Sequence, residues 1–188
     1  MTTTEELLDI AREAAAAGAA VLAERPEVAP AGVALGQEQA GLQTKSSESD
    51  LVTDFDRRAE RAVREVIARH RPDDGISGEE YGTTAAENPS GYRWSIDPLD
   101  GTTNFVRGIV YYGTSVAVQA PSGHWVAGVV DAPAVGRRWW ATRGGGAWTA
   151  GTSAEAESEP VKLQGPQGSR AAGILATGFG YDPERREE

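Results

Sequence analysis

The sequence predicts an α+β fold in which two N-terminal helices pack against a mostly antiparallel sheet. Residues 1–70 contain two segments whose apolar side chains recur at helical spacing, and the remaining sequence consists largely of short apolar runs separated by Gly- and Pro-containing turns. A length of 188 residues is enough to bury one good core. We therefore expect a single domain over residues 1–188.

Both helices carry recognisable start and stop signals. Thr3 and Glu6 form a capping-box pattern, which predicts a helix that continues through an Ala-rich segment to about Glu24. Thr53 can cap a second helix. That helix keeps helical spacing at Phe55, Ala59, Ala62, Val63, Val66 and Ile67. The Arg-Pro-Asp-Asp-Gly sequence at 71–75 predicts its end.

The strands follow the helices. A short strand is predicted to lead into residues 77–80, whereas residues 83–91 are small and polar and favour a loop. A short apolar run that stops at Asp97 predicts the next strand. Residues 114–120 and 124–130, separated by Pro-Ser-Gly, predict a hairpin.

A second pair of strands is predicted at residues 138–142 and 146–149. The first of these strands contains Trp139 and Trp140. Because successive side chains of a strand point to opposite faces, one indole is expected inside the protein and the other outside.

Composition excludes several function classes. The formal net charge of −10 argues against binding to nucleic acid or to an anionic membrane. The absence of cysteine excludes disulfides, thiolate zinc sites and cysteine nucleophiles. The N-terminus lacks a basic region, and acidic residues interrupt its apolar run, so neither a signal peptide nor a membrane span is predicted. We expect a cytoplasmic location by default.

The most informative sequence is the turn around Asp97, Pro98 and Asp100. Pro98 fixes its backbone angle and donates no N–H, so the chain can turn and bring Asp100 back towards Asp97. Two neighbouring carboxylates are costly unless a cation lies between them or one is protonated. Oxygen ligands on a tight turn suit Mg²⁺ or Mn²⁺ rather than zinc. The Gly-Thr-Thr that follows offers amides and hydroxyls for an anion, which indicates phosphate chemistry.

The other acidic clusters have ordinary structural explanations when each is considered alone. Asp56 lies in a predicted first helical turn, where the helix dipole favours a carboxylate. The two aspartates at 73–74 precede a glycine and are typical of a turn. Glu79 and Glu80 fit a solvated loop as readily as a site. Neither histidine has a second His or Cys at metal-ligand spacing.

The order of the motifs along the chain is more specific than any one of them. The motifs are Lys45, Asp50, Val52-Thr53 and Asp56, then Gly78-Glu79-Glu80, then the run from Asp97 to Phe105, and downstream Arg143 to Trp148 and Ala176 to Gly180. Together they resemble the inositol monophosphatase family, from about Leu7 to the end of the chain. The resemblance implies the N-terminal portion of a layered αβαβα sugar-phosphatase sandwich.

The resemblance also implies a set of metal ligands. Glu79, Asp97 and the backbone carbonyl of Leu99 match the ligands of a first metal ion. Asp97 and Asp100 match two ligands of a second. The family uses two or three Mg²⁺ ions and Mn²⁺ is a possible substitute, so we expect one of these cations as the cofactor.

Catalytic and substrate-binding roles are implied in the same way. Glu79 and Thr102 match the residues that position and activate the attacking water, with Asp56 supporting Thr102. Asp100, Gly101 and Thr102 match the substrate-binding residues, and the amides of the last two match the phosphate cradle. Such chemistry agrees with the residues, because a phosphate monoester is anionic and repels nucleophiles until cations neutralise its oxygens.

The expected activity is Mg²⁺-dependent, lithium-sensitive hydrolysis of a small phosphate monoester, with inositol monophosphate as the first candidate. Related family members act on histidinol phosphate, fructose bisphosphate or nucleotide 3′-phosphates, and the motifs do not separate these substrates. A metal-binding but catalytically silent domain is the alternative from another class.

Family members run beyond this length and carry a Trp-Asp motif, and no Trp-Asp pair occurs in these 188 residues. We therefore expect the N-terminal part of the family fold, with apolar sheet surface left uncovered. Association with a second copy, as a homodimer, or aggregation would be the consequence.

Overall fold

Two helices lie against one face of an eight-stranded sheet in the computed structural model, which describes residues 2–25, 43–44, 51–52, 54–152 and 158–165. The helices are α1 (Thr4–Ala23), α2 (Asp54–His70) and the short α3 (Thr102–Val106). The strands are β1 (Gln43–Thr44), β2 (Leu51–Val52), β3 (Gly75–Gly78), β4 (Gly82–Thr84), β5 (Arg93–Asp100), β6 (Gly113–Gln119), β7 (Trp125–Ala132), β8 (Arg137–Thr142), β9 (Gly146–Gly151) and β10 (Val161–Lys162). The predicted α+β class is confirmed.

Helix α1 begins where the capping box predicts. The side chain of Thr3 accepts a hydrogen bond from the backbone N–H of Glu6 (3.1 Å), and Glu6 accepts one from the backbone N–H of Thr3 (2.7 Å). Alanines and a glycine form most of its buried face. At Gly18 an added Cβ would lie 2.6 Å from Thr114 of β6, so the glycine lets α1 approach the sheet closely.

Helix α2 has the predicted extent and packs on α1. Its predicted cap, Thr53, lies outside the described residues. The helix ends at His70, and the turn that follows contains Asp74, which is buried.

The sheet places its strands in the order β10-β9-β8-β7-β6-β5-β3-β4. Neighbouring strands are antiparallel except β3 and β5, which run parallel. Both predicted hairpins, β6 with β7 and β8 with β9, are confirmed. The parallel pair brings the C-terminal ends of β3 and β5 to the same edge of the sheet.

Two strand boundaries differ from the prediction. The expected loop at 83–91 begins with strand residues, because Thr83 and Thr84 pair with β3 across a tight turn. The strand expected to stop at Asp97 runs on to Asp100, with an irregularity in its pairing to β6 between these two residues. Proline explains this irregularity, since Pro98 has no N–H to give to a ladder.

The main core lies between the two long helices and the sheet. Trp94 and Ile96 of β5 are buried there, together with Val116 and Val118 of β6. Trp140 also belongs to this core, whereas Trp139 lines a cavity on the opposite face, so the predicted alternation is confirmed.

Some apolar side chains stay in contact with solvent, among them Tyr111, Val130 and Val135. Within the described ranges, no helix is both long and apolar enough to cross a membrane.

Candidate active site

The Asp97 turn is formed by an extra residue in β5. Asp97 pairs with Ser115 and Asp100 with Gly113, so three steps along β5 match two steps along β6. The fully buried Thr114 lies between these partners, and its hydroxyl donates a hydrogen bond to the carbonyl oxygen of Pro98 (2.9 Å). Thr114 therefore fixes the turn that separates the two aspartates.

Asp97 has an electrostatic environment that disfavours its charge. Burial, followed by the nearby carboxylates of Glu79 and Asp100, raises the pKa of its carboxyl to about 7 in spite of the opposing effect of the Leu99 backbone N–H. The Oδ1 atom of Asp97 is buried and has no hydrogen-bond partner. A cation would supply what this oxygen lacks, since a buried carboxylate needs a partner to stay charged.

The chain leaves the turn through Gly101, which adopts a left-handed conformation (φ 91°). An added Cβ at Gly101 would lie 2.9 Å from the carbonyl oxygen of Tyr111, so both the backbone angle and the space favour glycine. Helix α3 starts immediately afterwards, at Thr102. At its other end, the guanidinium of Arg25 donates a hydrogen bond to the carbonyl oxygen of Phe105 (3.0 Å).

Thr102 connects this turn to helix α2. Its hydroxyl lies 3.2 Å from Oδ1 of Asp56 and 3.1 Å from the carbonyl oxygen of Leu99. Because a hydroxyl carries one proton, it donates to one of these acceptors at a time. Asp56 is 1% exposed, so a dipole contact at a solvated helix end does not describe it. The support of Thr102 by Asp56 that the resemblance implies agrees with this contact.

Glu79 and Glu80 follow the end of β3, beside the end of β5. Glu79 is exposed, and its carboxylate is close enough to raise the pKa of Asp97. The backbone N–H groups of Glu80 and Tyr81 both donate to the side chain of Glu60, at 2.6 and 3.2 Å. The loop is thus tied to α2.

Glu60 is fully buried, and the sequence reasoning did not single it out. A signal was available, because Glu60 lies one turn after Asp56 and three residues before Val63, on the buried face of α2. A charged residue within an apolar stripe is rare without a partner.

The aspartate pair at 73–74 has a structural role, as its turn-like sequence indicates. The buried carboxylate of Asp74 accepts hydrogen bonds from Arg71 (2.9 and 3.0 Å), from the hydroxyl of Ser90 (2.6 Å) and from the indole N–H of Trp94 (2.8 Å). This network fastens the end of α2 to β5.

The predicted site residues are brought together only in part. Asp56, Glu79 and Asp100 all act on the pKa of Asp97, which places the four carboxylates around one turn. Within the described residues, no group of three or more His, Cys, Asp or Glu side chains is arranged as a metal site. The ligand set that the resemblance implies therefore stays a prediction. Among the residues of the family motifs, Lys45, Asp50, Thr53 and residues 176–180 lie outside the described ranges.

The chemistry of these groups nevertheless fits a hard divalent cation. The available atoms are carboxylate oxygens of Glu79, Asp97 and Asp100 and the carbonyl oxygen of Leu99, which are the ligand types that Mg²⁺ and Mn²⁺ prefer. The unpartnered Oδ1 of Asp97 is the observation from the structure that favours such an ion.

A cavity of about 520 Å³ adjoins the turn on the sheet face away from α1 and α2. Asp100 and Gly101 border it on the side of the carboxylates. Its other walls include Asn104, Tyr111, Tyr112, Val130, Arg137 and Trp139. The cavity is large enough for a small organic molecule next to Asp100.

An acidic turn with only oxygen ligands, next to the start of a helix and a cavity, suits phosphoester hydrolysis. Comparison with known proteins agrees with this interpretation. The inositol monophosphatase family model matches residues 3–187, and the chain belongs to this family. Its curated relatives include several proteins named as phosphatases and one named Nus factor SuhB.

Two curated relatives carry different names. A histidinol-phosphatase of Mycobacterium tuberculosis is 47% identical over 97 residues, which are 52% of this chain and 36% of that protein. An inositol-1-monophosphatase of Rhizobium meliloti is 44% identical over 100 residues, which are 53% of this chain and 37% of that protein. The matched region thus spans little more than a third of either relative.

Solved structures share the fold. The extragenic suppressor protein suhB of Bartonella henselae superposes with a TM-score of 0.65 at 30% identity, over 76% of this chain and 51% of that chain. An IMPase/NADP phosphatase complexed with Mg²⁺ and phosphate superposes with a TM-score of 0.53 at 26% identity, over 60% of this chain and 42% of that chain.

Proposed function

We propose that this chain carries the catalytic turn of a Mg²⁺-dependent phosphatase that hydrolyses a small phosphate monoester, with inositol monophosphate as the first candidate substrate. The observation that carries the proposal is the buried, unpartnered Oδ1 of Asp97, surrounded by other carboxylates at the start of α3. A site built only for stability would give this oxygen a donor.

Four groups would hold the metal. Glu79, Asp97 and the carbonyl oxygen of Leu99 are the proposed ligands of one ion, and Asp97 with Asp100 would contribute to a second. When bound, Mg²⁺ would neutralise the oxygens of the ester and lower the pKa of water beside it. The IMPase/NADP phosphatase that superposes on this chain holds Mg²⁺ and phosphate, which supports the choice of ion for this chain.

The chain's own residues would orient the reactants. The hydroxyl of Thr102 donates to Asp56 or to Leu99, so its lone pairs remain able to accept a hydrogen bond from a water molecule and orient it. Glu79, on the neighbouring loop, would take up a proton from the same water as general base. The amides of Gly101 and Thr102 would bind the phosphate oxygens, because Gly101 has no Cβ to block them.

The substrate beyond the phosphate would occupy the cavity beside Asp100. Its mixed walls, with aromatic rings and one guanidinium, suit a small polar molecule with a carbon frame. Histidinol phosphate, fructose bisphosphate and a nucleotide 3′-phosphate are further candidates, and a histidinol-phosphatase is among the relatives. A homodimer is also part of the proposal, and it would cover exposed apolar side chains outside this cavity, such as Trp125.

Phosphate release from inositol 1-phosphate, histidinol phosphate, fructose 1,6-bisphosphate and adenosine 3′-phosphate tests the proposal. The 188-residue chain is assayed with Mg²⁺ and with chelator, beside Asp97→Asn and the control Asp9→Asn, which changes an exposed aspartate of α1. We expect Mg²⁺-dependent release that is lost in Asp97→Asn and kept in Asp9→Asn. Mg²⁺ binding without release from any ester would support the silent metal-binding domain instead.

A further inference from the structure

We infer that Glu60, paired with Arg64, is a positioning residue that sets the place of Glu79 for the metal site. The inference rests on the proposed function, because Glu79 matters to chemistry only if the turn binds a cation. Its own evidence is the set of contacts that α2 makes with the three-residue connection between β3 and β4.

Both carboxylate oxygens of Glu60 accept hydrogen bonds from the backbone of this connection. Oε2 accepts the backbone N–H of Glu80 (2.6 Å), and Oε1 accepts that of Tyr81 (3.2 Å). Only Glu79, Glu80 and Tyr81 lie between the end of β3 and the start of β4. Two of the three backbone N–H groups are therefore fixed by one buried carboxylate.

The contact is also close on the side that precedes Glu79. A Cβ added at Gly78 would lie 2.0 Å from Oε1 of Glu60 and 2.4 Å from its Cδ. A larger residue at 78 would have to push the carboxylate or the strand away. Glu60 thus contacts the chain immediately before and immediately after Glu79.

Arg64 completes the arrangement one helical turn later. Its Nε lies 2.7 Å from Oε1 of Glu60, so the guanidinium pairs directly with the buried carboxylate. Its remaining N–H groups donate to the carbonyl oxygen of Gly82 and to the hydroxyl of Thr84 (3.1 Å). The guanidinium also lies 5.9 Å from the ring centroid of Tyr81. The ion pair therefore holds the connection at both its amides and its exit.

A carboxylate that fixes backbone amides beside a metal ligand acts like an outer-shell partner, and losing such a partner typically lowers metal affinity by about 10- to 100-fold. We expect Glu60→Gln to weaken Mn²⁺ binding by that factor. Glutamine keeps the shape of the side chain but offers one acceptor oxygen in place of two and loses the charge that pairs with Arg64.

The test titrates the full chain with Mn²⁺, followed by electron paramagnetic resonance, and measures hydrogen exchange of the Glu80 and Tyr81 amides without metal. Glu65→Gln, on the exposed side of α2, is the matched control for charge. Val63→Ala is the matched control for lost stability, because it removes two buried methyl groups from the same helix and leaves the residues of the loop unchanged.

Faster exchange at both amides together with weaker Mn²⁺ binding in Glu60→Gln, and unchanged affinity in both controls, would support the inference. Equal weakening in Val63→Ala would overturn it, because general destabilisation would then explain the loss. Mn²⁺ affinity in Glu60→Gln within twofold of wild type would overturn it as well. If the wild-type chain itself binds no Mn²⁺, the proposed function is refuted. This result is distinct from normal Mn²⁺ binding in Glu60→Gln, which would refute the inference about Glu60 alone.

Gly78→Ala provides a second route that leaves Glu60 in place. With Glu60 present, the added methyl group displaces the carboxylate, and we expect a comparable loss of Mn²⁺ affinity. In a Glu60→Ala background the methyl group has room, so the two changes should cost less together than the sum of each alone. Strict additivity would contradict the proposed contact.

Discussion

Replacing Asp97 with asparagine should make the metal-free protein more stable above neutral pH while removing its response to Mg²⁺. The folded protein raises the pKa of this carboxyl to about 7, chiefly through burial. Because the folded pKa lies above the ordinary value of about 4, this group favours folding at low pH. That contribution is lost as the pH rises through 7.

The magnitude follows from the size of the pKa change. Each pKa unit corresponds to about 1.4 kcal/mol, so a rise of about three would destabilise the charged form by about 4 kcal/mol if solvent screened none of it. Asp97 is only partly buried, and screening reduces the effect. We expect Asp97→Asn to raise the free energy of unfolding by about 1–2 kcal/mol at pH 8.5, by a smaller amount at pH 5, and to leave it nearly unchanged below about pH 4.

Urea unfolding followed by tryptophan fluorescence measures both effects, since Trp94 and Trp140 are buried in the main core. Mg²⁺ at about 100 times its dissociation constant should stabilise the wild-type chain by about 2.7 kcal/mol at pH 8.5 and should not stabilise Asp97→Asn. The reasoning would be refuted if the variant kept the wild-type pH dependence, or if Mg²⁺ stabilised both proteins equally.

Three further predictions concern the same turn. Thr114→Val leaves the buried carbonyl oxygen of Pro98 without its donor and should lower the free energy of unfolding by about 1–3 kcal/mol in urea titrations; an unchanged midpoint would show that the hydrogen bond contributes nothing net. Thr102→Val removes the hydroxyl that contacts Asp56 and should lower Mg²⁺-dependent phosphate release by about 100-fold or more, whereas Thr103→Val should not; equal rates in both variants would exclude a role for the Thr102 hydroxyl. Chelator should lower the midpoint of wild-type thermal unfolding at pH 8.5 but not at pH 5, as scanning calorimetry can check, and a pH-independent effect would place the cation elsewhere.

The parts of the fold that the sequence predicts are those fixed by neighbouring residues. The capping box at Thr3 and the apolar spacing of α2 act over three or four positions, and both helices have the expected extent. The two hairpins are also fixed locally, because each pairs two consecutive strands through a short turn. Strand β4 was missed because Thr83 and Thr84 look like loop residues, and they form a strand only through pairing with β3.

The site was predicted as a set of motifs, but the contacts that hold it in place join residues far apart in sequence. Glu60 contacts a residue 20 positions later, Thr102 contacts one 46 positions earlier, and Arg25 donates to a carbonyl 80 positions away. No periodicity or spacing encodes such distances. The ordinary explanation of Asp56 as a helix-end charge was plausible for the same reason, since its partner lies in another element.

Helix α2 emerges from these contacts as the element that relates the two halves of the proposed chemistry. Asp56 contacts the hydroxyl of Thr102, and Glu60, one turn later on the same face, holds the loop that carries Glu79. Four residues of helix advance by about 6 Å, so the helix imposes that spacing on the two anchoring carboxylates. A rigid helix keeps this spacing regardless of small movements in either loop. The α2 backbone thus sets the separation between Glu79, a proposed metal ligand, and the Thr102 hydroxyl that would orient water. This role explains why Asp56 and Glu60 are buried on an otherwise apolar face of the helix.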